Sequence, residues 1–175
     1  MSLIFLVGGA RSGKSATAVR AAAATGAAVV FVATADALDD EMGERIAAHR
    51  GERPREWQTV EAPLELAAAI GSIDPHATVI VDCLSLWVAN LLESDVAVED
   101  AAVVAARVAA TRPGQTIAVS NEVGLGLVPM NALGRRYRDL LGRTNAIWAT
   151  SAERAFLIVA GRAVALMPTE DLFDG

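Results

Sequence analysis

One short segment of this 175-residue chain carries residue types at the spacing of a phosphate-binding loop. Residues 8–15 read Gly-Gly-Ala-Arg-Ser-Gly-Lys-Ser and match the pattern G-x-x-x-x-G-K-[S/T] in full. In such a loop, backbone N–H groups surround a phosphate, the lysine reaches the β- and γ-phosphates, and the next hydroxyl binds Mg²⁺. Those two residues are Lys14, the only lysine of the chain, and Ser15. The segment therefore predicts a nucleoside triphosphate site with Mg²⁺, completed by Gly8, Gly9, Ala10, Arg11, Ser12 and Gly13.

A second candidate for the magnesium site ends an apolar segment later in the chain. Residues 79–82 read Val-Ile-Val-Asp, which places Asp82 at the carboxyl end of a predicted buried strand. The alternative interpretation is that Asp82 only caps the helix that begins near Leu84. Because a triphosphate loop needs an acidic partner for its metal, we favour the metal role.

One of the two histidines lies in a basic segment and could act as a nucleophile. His49 ends a predicted helix over 38–49, shares a helical face with Arg45, and precedes Arg50 and Arg53. Nearby positive charge favours the neutral imidazole, which could attack an α-phosphate and form a phosphoramidate. The alternative is a histidine that interacts with the helix dipole, and residue chemistry alone leaves both open.

Several other polar residues have both a functional and a structural interpretation. Glu122 follows a predicted strand and could accept a substrate hydroxyl proton, or it could serve as a cap or a salt-bridge partner. A predicted helix carries four arginines with two possible roles. They could form a face that is solvated or lies between subunits, or they could contact the nucleotide of a neighbouring subunit. We favour the first of these two interpretations. These arginines are Arg135, Arg136, Arg138 and Arg143. His76 is expected to be an exposed turn residue, and Cys83 and the three tryptophans are expected to be packing residues.

Short apolar runs alternate with helical segments along the chain, which predicts an α/β fold. Strands are expected over 3–7, 28–33, 58–61, 78–81 and 116–119, and helices over 14–24, 38–49, 63–70, 84–92, 98–110 and 131–148. Residues 156–159 and 164–167 flank Gly161-Arg162, which favours a C-terminal antiparallel hairpin. We expect a single domain over residues 1–175, with a mostly parallel sheet and helices on both faces.

The composition excludes several classes of protein. Apolar residues make up 53% of the chain and charged residues 21%, too apolar for a disordered protein. A net charge of −6 disfavours nucleic-acid binding. One cysteine excludes internal disulfides and cysteine-rich zinc sites. With no signal peptide and no apolar run long enough to span a membrane, we expect a soluble, cytoplasmic protein without membrane insertion.

Several of these segments together resemble the bifunctional adenosylcobinamide kinase / adenosylcobinamide-phosphate guanylyltransferase family of cobalamin biosynthesis. The resemblance covers residues 3–167 and includes the phosphate loop, which many NTPases share. More restricted pieces are Arg-Ile-x-x-His-Arg (45–50), Asp-Cys-Leu (82–84), Ser-Asn-Glu-Val-Gly-x-Gly-x-Val-Pro (120–129) and Arg-Asp-x-x-Gly-x-x-Asn (138–145).

The resemblance implies two activities, one fold and one oligomeric state. One activity phosphorylates adenosylcobinamide, a corrinoid, with ATP or GTP. The other moves GMP from GTP onto His49 and then onto adenosylcobinamide phosphate, giving adenosyl-GDP-cobinamide and pyrophosphate. It further implies a RecA-like fold, a homotrimer, and a GTP site formed by residues 8–15 with Ala33, Thr34, Ala35, Arg50, Gly51, Glu52, Arg53, Glu61 and Asp82.

The sequence also allows two other functions. A single-activity small-molecule kinase would not use His49. A nucleotide-dependent switch protein would hydrolyse its nucleotide slowly, without an acceptor substrate.

Overall fold

The computed structural model of the protein describes residues 3–35 and 54–172, which form seven strands, five α-helices and one short 3₁₀-helix. The strands are β1 (Leu3–Gly8), β2 (Val29–Ala33), β3 (Gln58–Glu61), β4 (Thr78–Asp82), β5 (Thr116–Asn121), β6 (Arg154–Val159) and β7 (Arg162–Leu166). The helices are α1 (Lys14–Ala23), α2 (Leu66–Ser72), α3 (Leu84–Glu93), α4 (Val98–Thr111) and α5 (Ala132–Ser151), with the 3₁₀-helix at Glu170–Leu172. The predicted helix over 38–49 lies outside the described residues.

All seven strands belong to one sheet in the order β3-β2-β4-β5-β1-β6-β7. Every neighbouring pair is parallel except β6 and β7, which form the predicted antiparallel hairpin. The predicted position of the hairpin turn is wrong by one residue. Val159 pairs with Arg162, so the turn residues are Ala160 and Gly161, both with positive φ, at 50° and 73°. Two successive positive φ values match the twist of the flanking strands and define the tight hairpin turn.

The central strands are buried on both faces, and alternate side chains enter two separate cores. Leu3, Phe5 and Val7 point into the larger core, whereas Ile4 and Leu6 point into the smaller one on the opposite face. Helices α2 to α5 contribute buried residues to the larger core, and Ala18 and Ala22 of α1 contribute to the smaller one. The fold is therefore the predicted α/β sheet with helices on both faces.

A buried arginine fixes the segment that leads from α2 to β4. Arg112, at the C-terminal end of α4, is 6% exposed. Its guanidinium donates to the carbonyl oxygens of Ile70, Ile73, Asp74 and Ala77 at 2.8–3.2 Å. These bonds satisfy carbonyl groups at the end of α2 and set where β4 begins. The hydrogen bonds of Arg112 therefore help to fix the start of β4, the strand that ends in Asp82.

Several expectations about packing residues are confirmed. Trp87 and Trp148 are buried in the larger core, and Trp57 packs against the smaller one. His76 is exposed in a turn, where its N–H donates to the Asp74 carboxylate at 2.8 Å.

Candidate active site

The carboxyl ends of five neighbouring strands meet at one edge of the sheet and bring together most of the predicted site residues. Ala33 at the end of β2 pairs with Glu61 on one side and with Asp82 on the other. Gly8, where the phosphate loop begins, pairs with Asn121 at the end of β5. Open α/β sheets bind ligands at this edge, because loops and helix N-termini converge there.

The phosphate loop follows β1 and opens α1, as its mechanism requires. Gly13 occupies the N-cap position of α1 with φ of 98°, a left-handed conformation that disfavours other residues. The loop is tied to the C-terminal hairpin, because the Gly161 N–H donates to the Ser12 carbonyl at 2.9 Å. Gly8 is equally constrained, since a Cβ there would overlap the Ile158 carbonyl oxygen of β6. The β6–β7 hairpin therefore packs against the phosphate loop and helps to fix its conformation.

Lys14 lies inside this loop and is 6% exposed. Its ammonium group donates to the Gly9 carbonyl at 2.7 Å and lies 3.5 Å from the Ser12 hydroxyl. Burial lowers the pKa of Lys14. This shift is opposed by the negative charge of Asp82 and by that of Cys83 when its thiol is ionised. The side chain is thus held at the loop and within electrostatic reach of Asp82, as a phosphate ligand should be.

Thr34 uses its polar groups to hold the segment that follows β4. Its hydroxyl donates to the Cys83 carbonyl at 2.7 Å and accepts from the Cys83 N–H at 2.9 Å. The Thr34 carbonyl accepts from the Asn90 side chain at 2.8 Å, and the Thr34 N–H donates to the Asp82 carbonyl at 3.4 Å. Since Thr34 is also fully buried, it acts on the site by positioning Asp82 and Cys83.

A polar network beneath the site joins the ends of β4 and β5 to helix α5. The Ser85 hydroxyl accepts from the Asn121 side chain at 2.8 Å and lies 2.9 Å from the Cys83 sulfur. The Tyr137 hydroxyl donates to the Ser85 carbonyl at 3.1 Å, and the Asn145 amide donates to the Asn121 carbonyl at 3.0 Å. Satisfied networks of this kind rigidify the groups that they connect.

Cys83 belongs to this network and is not activated. Burial and the neighbouring Asp82 charge raise the pKa of the Cys83 thiol. A neutral, buried thiol is a poor nucleophile, so Cys83 serves a structural purpose, in agreement with the expectation from sequence.

Glu122 and the following segment lie directly beside the phosphate loop. The Glu122 N–H donates to the Gly8 carbonyl at 3.0 Å, which fixes the start of the β5–α5 connection to the loop. The Glu122 carboxylate accepts from the Gly124 N–H. The carboxylate therefore caps a local turn while remaining at the same edge as Lys14.

Comparisons with known proteins agree with this geometry. A sequence model of the family described as cobinamide kinase / cobinamide phosphate guanyltransferase, named CobU, matches residues 4–166. The chain belongs to the CobU family. It is 46% identical over 159 residues to the bifunctional adenosylcobalamin biosynthesis protein CobP of Pseudomonas aeruginosa, covering 89% of this chain and 92% of that protein. It is 37% and 35% identical to the bifunctional CobU proteins of Escherichia coli K12 and Salmonella typhimurium, in each case over 91% of this chain and 96% of that protein.

Membership of the CobU family confirms the two activities that the resemblance implied, those of a kinase and of a guanylyltransferase. The protein is a kinase and guanylyltransferase of cobalamin biosynthesis. In the described ranges, none of the helices is long and apolar enough to cross a membrane. The predicted nucleophile and its neighbours, His49, Arg50, Gly51, Glu52 and Arg53, lie outside the described residues.

The residues at the CobU-family site fit a magnesium ion. Ser15 is the second residue of α1, directly after Lys14, and Asp82 lies close enough to Lys14 to influence the pKa of the lysine. Mg²⁺ is usually held by one or two protein side chains together with substrate phosphates and waters. One hydroxyl and one carboxylate beside a phosphate loop match that set of donors.

Three of the four arginines of α5 are engaged with the protein's own surface. Arg135 donates to the Pro129 and Met130 carbonyls at 3.0 and 2.7 Å. Arg138 pairs with Asp139 at 2.9 Å, and Arg143 pairs with Glu99 at 2.6 Å. These contacts agree with the solvated-face interpretation, to which Arg135 adds a contact with the preceding segment.

Three features of the site were missed from the sequence. No sequence motif indicated the contact between the hairpin turn and the phosphate loop. The same is true of the roles of the Ser85 hydroxyl and the Tyr137 phenol. The one available signal for Ser85 was its position three residues after Asp82, in the first turn of α3.

Proposed function

We propose that this enzyme carries out both transfers at the edge formed by the phosphate loop, Asp82 and Glu61, with His49 as the guanylyl carrier. In the first reaction the terminal hydroxyl of adenosylcobinamide attacks the γ-phosphate of ATP or GTP. A phosphate ester forms, the nucleoside diphosphate leaves, and the hydroxyl proton passes to a base. Glu122, at the same edge, is the candidate base.

In the second reaction a ring nitrogen of His49 attacks the α-phosphate of GTP, and pyrophosphate leaves. A phosphate oxygen of adenosylcobinamide phosphate then attacks the same phosphorus, displaces His49 and forms adenosyl-GDP-cobinamide. The covalent intermediate divides one nucleotidyl transfer into two in-line displacements. Arg50 and Arg53 are assigned to stabilise the charge on the transferred phosphate.

The protein's own groups bind and orient the triphosphate in both reactions. The loop from Gly8 to Gly13 surrounds the phosphates, Lys14 neutralises their charge, and Ser15 and Asp82 are assigned as the Mg²⁺ ligands. When bound, Mg²⁺ neutralises charge that develops on the phosphate oxygens. Ala33, Ala35, Gly51, Glu52 and Glu61 are assigned to the nucleotide pocket, and Thr34 is assigned to its support.

The observation that carries this proposal is the convergence of a complete phosphate loop with Asp82 at one edge of the sheet, in a chain of the CobU family. Asp82 pairs with Val119 of β5, the strand that lies between β4 and β1, so one strand separates it from the phosphate loop. At that separation, the Asp82 carboxylate could bind a metal ion that also binds the phosphates held by the loop.

We further propose a cytoplasmic homotrimer that binds a corrinoid substrate. The location follows from the use of nucleoside triphosphates, and the number of subunits from the family resemblance. The outer hairpin supports self-association, because Val159, Val164, Leu166 and Met167 are 41–60% exposed along a sheet edge.

The test is covalent labelling with GTP that carries radioactivity on its α-phosphate. The parent protein should retain label after denaturing electrophoresis, and the label should be lost in acid and kept in alkali, as a histidine phosphoramidate requires. His49→Ala should abolish the label. His76→Ala is the matched control, because His76 is the only other histidine and is exposed in a remote turn, so its label should equal that of the parent.

Equal labelling of the His49→Ala variant would refute His49 as the carrier, and absence of label on the parent would favour the single-activity kinase. Phosphate release from GTP without any cobinamide acceptor would instead favour the nucleotide-dependent switch. The proposed function predicts that net GTP turnover to pyrophosphate needs the acceptor, beyond the single turnover that loads the histidine.

A further inference from the structure

The connection between β5 and α5 exposes a row of large apolar side chains. Residues 123–133, called the apolar ledge here, contain six such residues and no charged residue. They are Val123 (36% exposed), Leu125 (84%), Leu127 (96%), Val128 (60%), Met130 (96%) and Leu133 (65%). An accumulation of large, exposed apolar side chains of this kind indicates a binding site.

The apolar ledge is fixed at both ends by hydrogen bonds. At its start, the Glu122 N–H is bound to the Gly8 carbonyl, and the Glu122 carboxylate holds the Gly124 N–H. At its end, the Arg135 guanidinium binds the Pro129 and Met130 carbonyls, and the Asn131 side chain accepts from the Gly134 N–H at 2.6 Å. A surface anchored in this way loses little conformational entropy when a ligand binds.

The anchor at Gly8 also sets where the apolar ledge lies relative to the chemistry. Gly8 is the first residue of the phosphate loop, so the start of the ledge adjoins the loop that binds the triphosphate. A substrate that must place one hydroxyl at the γ-phosphate, and later one phosphate at the α-phosphate, needs a binding surface in this position.

We propose that the apolar ledge binds the corrin macrocycle of the substrate, an inference that rests on the proposed function. A corrinoid has a methyl-bearing ring whose carboxamide side chains are neutral. The apolar side chains of the ledge suit the methyl groups, and the irregular backbone of residues 123–131 offers N–H and C=O groups to the carboxamides. The lack of charge in the ledge suits this neutral periphery, whereas a nucleotide would require cationic side chains.

A second copy of the chain is the other occupant to consider. The outer hairpin already offers an exposed apolar sheet edge for self-association, on β6 and β7 at the end of the sheet. The ledge, in contrast, is joined directly to the phosphate loop. We therefore assign the ledge to substrate.

The test measures cobinamide binding directly, by equilibrium dialysis of the coloured corrinoid against the full chain without nucleotide. The variants are Leu125→Ser, Leu127→Ser and the double variant. Val103→Ser is the matched control, because Val103 is 53% exposed on α4, outside the ledge. The molar mass of each variant is measured by light scattering, and its melting temperature is recorded as a check of folding.

Each leucine covered by the macrocycle should contribute about tenfold to affinity. The single variants should therefore raise the Kd for cobinamide about tenfold and the double variant more, with melting temperature and molar mass equal to those of the parent. Val103→Ser should bind cobinamide as the parent does. This pattern would support the ledge as the corrinoid surface.

Two results would overturn the inference in distinguishable ways. An unchanged Kd in the double variant, or a molar mass that falls together with binding, would show that the ledge is not a corrinoid surface, while His49 labelling of the parent would keep the proposed function intact. Absence of cobinamide binding by the parent itself would also overturn the inference, whereas the proposed function would be overturned only by the loss of His49-dependent labelling.

Discussion

Replacing Thr34 with valine tests whether this threonine supports the site through its hydroxyl. The hydroxyl bonds both to the carbonyl and to the N–H of Cys83, and the residue is fully buried. Valine has nearly the same shape, so Thr34→Val removes the two hydrogen bonds while leaving packing almost unchanged. Thr34→Ser makes the opposite change, because it keeps the hydroxyl and removes one methyl group.

The expected loss of stability follows from the groups that would be left unpaired. Each buried donor or acceptor without a partner costs about 1–3 kcal/mol. The Cys83 N–H would lose its partner, whereas the Cys83 carbonyl keeps the Trp87 N–H at 3.2 Å. We therefore expect Thr34→Val to lower the free energy of unfolding by about 1–3 kcal/mol. For a chain of this length, that corresponds to a fall in melting temperature of about 2–12 °C. Thr34→Ser should cost about 1 kcal/mol, the value of one buried methyl group.

The assay is urea unfolding of the parent and both variants, with histidine labelling by GTP as a function of Mg²⁺ concentration. We expect stability in the order parent, Thr34→Ser, Thr34→Val, and a higher Mg²⁺ requirement for the valine variant, because Asp82 precedes the segment that it releases. A hydrophobic role for Thr34 predicts the reverse order of the two variants. A valine variant at least as stable as the serine variant would therefore refute the positioning role.

Two further predictions concern buried polar groups away from the nucleotide. Arg112→Met should lower the free energy of unfolding by about 3–5 kcal/mol, because four carbonyl groups lose the guanidinium as a donor, although those of Ile70 and Asp74 keep backbone donors. Arg107→Met, on the exposed side of the same helix, should change the urea midpoint little, and equal midpoints of the two variants would contradict the stabilising role of Arg112. Burial, followed by the charge of Cys83, raises the pKa of Tyr137 from 10.0 to about 12, and Tyr137 is the only tyrosine. Tyrosinate absorbance should therefore be absent at pH 10 in the folded protein and present in urea. Because the phenol keeps its proton in the folded state, its contribution to stability is complete below pH 10 and is lost as the pH rises towards 12.

The parts of the site that the sequence predicted are those that depend on local chemistry. The phosphate loop is contiguous, and its glycines, lysine and serine are required by the conformation and the ligand together. The central strands were predicted because a strand buried on both faces must be continuously apolar, as 79–81 and 117–119 are. Asp82 was found by the same reasoning, as the first polar residue after such a run.

The parts that the sequence did not predict depend on which strands become neighbours. Similar apolar runs do not state their order in a sheet, so nothing in the sequence placed β6 beside β1 or the hairpin turn against the phosphate loop. Tyr137 and Ser85 are 52 residues apart and meet because β5 lies beside β4. The turn was misplaced by one residue because only Gly161 signals a positive φ, whereas Ala160 adopts one without a sequence signal.

The surroundings of the phosphate loop bear on how one site could serve two reactions. On one side the Gly8 carbonyl is bound by the Glu122 N–H of the β5–α5 connection, and on the other the Ser12 carbonyl is bound by the Gly161 N–H of the hairpin. A phosphate loop that is fixed on both sides should hold the triphosphate in the same position, whichever phosphorus atom is attacked. Under the proposed function, the choice between γ- and α-phosphate then depends on the nucleophile presented to a stationary nucleotide, a substrate hydroxyl or His49. Changes in the ledge should therefore alter the kinase step and the final guanylyl transfer, and changes at His49 the guanylyl steps alone.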